Sequence, residues 1–89
     1  MAITPKQAKP TPLVMHAWYL SQRMQSLGIT QAELRKRINE HSNVTAATVS
    51  RWISARSYPS REVLRSLLNS LELQNDERTH YLRIWAGLA

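Results

Sequence analysis

The stretch TAATVSRWISARSYPS, Thr45–Ser60, sets a run of small residues in front of an Arg-Trp pair and a proline-marked stop. Thr45 is suited to accept a bond from an exposed amide and so to open a helix. Helical spacing then turns Val49, Trp52 and Ile53 inward and leaves Ala46, Ala47, Thr48, Ser50 and Arg51 outside. Alanine is an ordinary helix former, so Ala46 and Ala47 alone decide little. An outer face that opens without charge is nevertheless a face that another surface can approach closely.

The residues upstream form a matching partner. In LGITQAELRKRI, Leu27–Ile38, Thr30 and Glu33 have the spacing of a capping box, which predicts a helix opening at Thr30. Its core side is Ala32 or Leu34 with Ile38, and its outer side carries Arg35, Lys36 and Arg37. The polar segment Asn39–Val44 holds the turn, with room for the helix to run one turn into it. Further upstream, Leu13, Ala17, Leu20, Met24 and Leu27 recur at spacings of four and three and predict a first helix. Pro12 fits its first turn and Gly28 its left-handed end, while His16, Trp18 and Tyr19 fall off the centre of its stripe. Downstream, Ser60 is the expected cap of a fourth helix with Leu64, Leu67, Leu68 and Leu71 inside. Asn75 or Asp76 starts a fifth, with Tyr81, Ile84, Trp85 and Leu88 on its buried or partner-facing side. No strand-like alternation and no internal repeat interrupts this order. The expected fold is all-α, a compact five-helix domain over residues 12–89 behind a flexible basic arm, residues 1–11.

Composition narrows the function classes. Eighty-nine residues suit one small domain, and the absence of cysteine excludes disulfides, thiolate nucleophiles and sulfur-ligated zinc. His16, His41 and His80 lie on different elements without carboxylates at ligand spacing, so each reads as a surface or packing histidine. Gly28 and Gly87 cannot build a phosphate-cradling loop. The expectation is therefore a non-enzyme with no metal and no cofactor. No apolar run reaches the ~18 residues of a membrane span and no signal-peptide layout opens the sequence, so a cytoplasmic, nucleoid-associated protein is expected.

The net charge of +6 is uneven. Residues 1–29 carry Lys6, Lys9 and Arg23 with no acid, residues 30–65 carry +4, and residues 66–89 carry −1. A basic N-terminal two-thirds points to a polyanion, although basic charge also serves plain solubility. A major groove accepts one helix whose small residues let methyls meet thymine and whose arginine meets guanine. Ala46, Ala47 and Arg51 have that chemistry.

LGITQAELRKRI, TAATVSRWISARSYPS and LRSLLNSLEL together resemble the lambda-repressor-like helix-turn-helix family, also called the xenobiotic-response-element family, over about Leu20–Leu73. Thr30 and Gln31 match its start to the second helix, Ser50, Arg51 and Trp52 the end of its recognition helix, and Ser54, Ala55 and Pro59 its exit. The resemblance implies base contacts from Ala46, Ala47, Ser50 and Arg51, and Thr48, small and at the same helix start, is a further candidate. It implies backbone contacts from Gln31, Thr45, Arg56 and Ser57, with Val49 and Trp52 in the core; the basic run with Lys36, by itself a solvated helix face, shifts toward phosphate attraction within that pattern. There are two departures. The link through Asn39–Val44 is about four residues longer than the usual tight turn, which makes Asn43 or His41 a candidate backbone contact. Ala55 stands where the family usually has glycine, so another residue makes the left-handed stop or Ala55 is strained by about 1 kcal/mol.

The expected function is sequence-specific binding of double-stranded DNA by a small transcriptional regulator. A repressor acting by occlusion is expected because 89 residues leave little room for an effector domain. A homodimer on a palindromic operator is expected because one such module offers few base contacts, and the arm with Lys6 and Lys9 adds phosphate or minor-groove contacts. Tyr81, Trp85 and Leu88 are the candidate dimer or partner contacts, Trp85 being either a cap on the core or an exposed anchor. Two other readings stand beside this one. One is an antitoxin-like or adaptor module that holds a protein partner through the C-terminal helix; the other is a DNA-binding accessory of recombination or replication.

Overall fold

The computed structural model describes residues 11–88, in which five helices run α1 Pro12–Leu27, α2 Gln31–Ile38, α3 Ala46–Ile53, α4 Arg61–Ser70 and α5 Asn75–Ala86, with no strand. Lys6, Lys9 and the rest of the expected arm before Thr11 lie outside the described residues. Each start has a local cause where a threonine precedes it. Thr11 accepts from the Val14 amide at 3.2 Å, Thr30 from Glu33 at 3.1 Å and Thr45 from Thr48 at 3.1 Å. Only the first half of the expected capping box forms, because the Glu33 carboxylate faces Arg37 Nε at 3.4 Å. Ser60 begins α4 in extended conformation without a side-chain cap; its hydroxyl turns to Glu62 at 3.5 Å.

Three helix ends share one closure. Gly28, Ala55 and Glu72 take φ of 69°, 61° and 56°. The following amides of Ile29, Arg56 and Leu73 then reach back to the carbonyls of Met24, Arg51 and Leu68 at 3.0, 2.9 and 3.2 Å. This is the double-bonded left-handed end that satisfies orphan carbonyls. Ala55 makes the stop itself, in the conformation that glycine takes without strain.

The core gathers Leu20 and Met24 of α1, Leu34 and Ile38 of α2, Val49 and Trp52 of α3, Leu67 and Leu68 of α4, and Tyr81 of α5. Val44, Leu71 and Leu73 join it from the links, and Ala32 is exposed, so Leu34 is the core residue of that pair. His16 departs from its expected place off the stripe. It is fully buried, and its Nε2 shares a 2.7 Å hydrogen bond with the Tyr81 hydroxyl while Nδ1 has no partner. Burial lowers its pKa from 6.5 to about 4 and pushes the Tyr81 phenol well up.

Three arginines converge on the C-terminal end of α4. Arg23 of α1 donates to the carbonyls of Leu71 at 2.9 Å and Glu72 at 3.0 Å. Arg37 of α2 donates to Ser70 at 3.1 Å, and Arg78 of α5 to Leu73 at 2.7 Å. Four consecutive carbonyls, from the last residue of α4 through the link that follows it, are thereby matched with cationic donors at the negative end of that helix. Arg37, expected on the outer face of α2, is thus a strut between helices, extended by its ion pair to Glu72 at 3.1 Å.

Candidate nucleic-acid interface

The surface of α3 divides as its spacing predicts. Val49 and Trp52 are buried, whereas Ala46, Ala47, Ser50 and Arg51 are exposed along one face. Eight residues make this helix about 12 Å long, about the width of a major groove. Thr48 sits at the edge of that face, half-buried, with its hydroxyl 3.0 Å from that of Thr45. The pair fixes the first turn, so both hydroxyls have an internal partner as well as an outward aspect.

The exit loop is folded onto the same helix. The Arg51 carbonyl accepts from the amides of Arg56 at 2.9 Å and Ser57 at 3.4 Å and from the Ser54 hydroxyl at 3.3 Å. Arg56 is consequently held close to the end of α3 with its side chain exposed, beside the half-buried Ser57. Gln31 is the first residue of α2, and it is exposed, as are Lys36 and, in the link, Asn43 and His41. The structure thus presents Thr45, Ala46, Ala47, Ser50, Arg51 and Arg56 together on α3 and its flanks; Gln31 and Lys36 lie at opposite ends of α2.

The ion pairs sharpen the electrostatics. Among the described residues they join Arg23 to Glu77 and Arg37 to Glu33 and Glu72, none of them a residue of α3. Lys36, Arg51, Arg56, Arg61, Arg65 and Arg83 are exposed without such a pair. Among the described residues the exposed, unpaired positive charge therefore lies mostly on α2, α3, the exit loop and the outer side of α4, with Arg83 on α5, while Arg23 and Arg37 serve the frame.

The C-terminal residues have different places. Tyr81 is fully buried against His16 and has no surface to offer a partner, which corrects its expected contact role. Trp85 is half-buried against the core and its indole donates to the Pro59 carbonyl at 2.8 Å. Leu88 is half-buried just beyond the end of α5. The exposed apolar side is elsewhere, a shallow groove of ≈ 340 Å³ between α1 and α5 lined by Met15, Trp18, Tyr19, Gln22, His80 and Ile84. Trp18 is 55% exposed and Met15 44%. Sequence spacing placed Trp18 off the buried stripe but gave no sign that α5 borders it.

No group of three or more His, Asp or Glu among the described residues is arranged to hold a metal ion. Nor is any described helix long and apolar enough to cross a membrane. A model of the helix-turn-helix domain family matches residues 17–81, from the middle of α1 into α5. Compared with curated proteins and with solved structures, the chain finds no match in either.

Proposed function

This chain belongs to the helix-turn-helix domain family, of the lambda-repressor-like kind, and on that premise we propose that it is a small transcriptional regulator that reads double-stranded DNA with α3. The observation that carries the reading is the outer face of α3: Ala46, Ala47, Ser50 and Arg51 exposed on a helix rooted by Val49 and Trp52. Small side chains admit the helix to the groove floor, where methyl groups meet thymine methyls and the Arg51 guanidinium meets the two acceptors of guanine. Gln31, Thr45, Asn43, Arg56, Ser57 and Lys36 supply phosphate contacts that fix register without carrying sequence information. Repression by occlusion of a promoter needs no more than this.

A homodimer on a palindromic operator doubles the few base contacts of one copy. We place the second copy on the groove between α1 and α5. Met15, Trp18 and Gln22 lie on the side of α1 opposite Ala17, Leu20 and Met24, and α3 packs against the inner side. A copy docked there leaves both α3 helices free. Trp85, tied to Pro59, favours the core over the partner role once open to it.

The test is a selection from a randomised duplex library at physiological salt. Enrichment of a two-fold symmetric motif with half-sites about 34 Å apart supports the dimeric reader. Retention without enrichment reduces the activity to backbone attraction, and no retention replaces it with a protein-partner role.

A further inference from the structure

Helix-turn-helix pairs are usually joined by about 3–4 residues. Here residues 39–45 separate α2 from α3. Added residues add torsional freedom, and a free link leaves a helix loosely aimed. The magnitude is unforgiving: swinging an eight-residue helix by roughly 10° about its start moves its far end by about 2 Å, several times the tolerance of a hydrogen bond.

The link is instead closed at both levels. The Ile38 carbonyl accepts from the amides of His41 at 3.1 Å and Ser42 at 3.0 Å, which carries α2 one turn onward. The Asn39 side chain then spans to the other end. Its Oδ1 accepts from the Val44 amide at 2.8 Å and its Nδ2 donates to the Val44 carbonyl at 3.0 Å. This double bond to one residue uses both halves of a carboxamide, and no other side chain of that length provides both. Val44 is buried, and the next residue is Thr45, the cap of α3. The Ser42 hydroxyl meets that of Ser66 on α4 at 2.8 Å, a second tie at the middle of the link.

We propose that Asn39 is a positioning residue for base reading, with Ser42 as its second tie: it fixes the origin and pitch of α3 by holding Val44, and sets sequence preference without touching DNA. The inference rests on the assignment of α3 as the reading helix. Replacing Asn39 by alanine frees the Val44 amide and the link together. Asn39→Asp keeps an acceptor for that amide and sets a carboxylate against the Val44 carbonyl.

The experiment compares affinity for the selected duplex with affinity for a scrambled one, for the unaltered chain, Asn39→Ala, Asn39→Asp, Ser42→Ala and the in-link control Glu40→Gln. Thermal melts confirm that each variant is folded at the assay temperature. Asn39→Ala is expected to lower the specific-to-scrambled ratio about tenfold, the scale of one lost base contact, with scrambled affinity and salt slope unchanged. Asn39→Asp recovers part of the ratio, Ser42→Ala falls between, and Glu40→Gln matches the unaltered chain. Faster exchange of the Val44 amide in Asn39→Ala reports the released link directly. A folded Asn39→Ala with the full ratio overturns the proposal, as does an equal loss on both duplexes. Should Asn39→Ala not fold, an undiminished ratio in Asn39→Asp and Ser42→Ala overturns it. If the unaltered chain shows no preference, the base-reading assignment itself fails and takes this role with it; preference retained by all variants removes the positioning role alone.

Discussion

His16 Nε2 and the Tyr81 hydroxyl meet at 2.7 Å in the interior and join α1 to α5 across 65 positions of sequence. With the ring fully buried and Nδ1 unpartnered, a proton on His16 has no compensating acceptor there. The folded pKa of about 4 lies below the ordinary 6.5, so the unfolded chain takes up the proton first. Stability is complete above about pH 6.5, falls as the pH drops toward 4, and loses about 3 kcal/mol to this group over that window. Urea unfolding at pH 7, 5.5 and 4 measures it. His16→Gln, which does not titrate, is expected to flatten the window and leave only the carboxylate contribution; an unchanged pH slope in that variant refutes the assignment.

Ala55→Gly is expected to stabilise the domain by about 1 kcal/mol. The residue sits at φ 61°, where the alanine Cβ is crowded and glycine is not. A rise in the urea midpoint at constant slope checks it, and a fall shows that the exit loop is unstrained.

Arg51→Ala is expected to cost about 1–3 kcal/mol on the preferred duplex and to relax preference at one base position. Lys36→Ala weakens preferred and random duplexes alike and flattens the salt slope by about one unit. Titrations at several salt concentrations separate the two, and identical profiles remove Arg51 from the base-reading set.

The two tryptophans are expected to part company. Trp85→Ala loses core packing and the bond to the Pro59 carbonyl and costs about 3 kcal/mol of stability. Trp18→Ala, at an exposed position, leaves stability within about 0.5 kcal/mol and lowers self-association in sedimentation. A dimer that survives Trp18→Ala places its contact on another surface.

Arg23→Met is expected to destabilise by about 2 kcal/mol, since its donors to the Leu71 and Glu72 carbonyls and its pair with Glu77 are lost. The salt slope of DNA binding stays where it was, because this charge already has its partners within the chain.

These contrasts mark where sequence reading ends. Thr30, Thr45 and Gly28 announced their helix boundaries, because a cap acts on amides or carbonyls a few residues away. The outer face of α3 was legible for the same reason: period alone separates Ala46, Ala47, Ser50 and Arg51 from Val49 and Trp52. Arg23 and Arg37 read as surface charge since their acceptors lie 48 and 33 positions away, on the end of a helix whose direction periodicity does not give. His16 fell off the stripe of α1 because α5 adds a second inner surface on that flank. Trp85 stood between core and partner until the Pro59 carbonyl, 26 positions upstream, came within reach of its indole. The positive φ of Glu72 had no counterpart in sequence, neither glycine nor asparagine occupying the position.

The arginine convergence on the end of α4 has an evolutionary consequence. α1, α2 and α5 each lend a guanidinium to that one terminus, and α3 lends none. The chassis is thus indexed to a point that α3, the helix proposed to read DNA, does not share. Exchanges at Ala46, Ala47, Ser50 and Arg51 leave every one of those bonds in place, so under the proposed reading new target sequences are accessible by drift at four exposed positions while the scaffold stays constant.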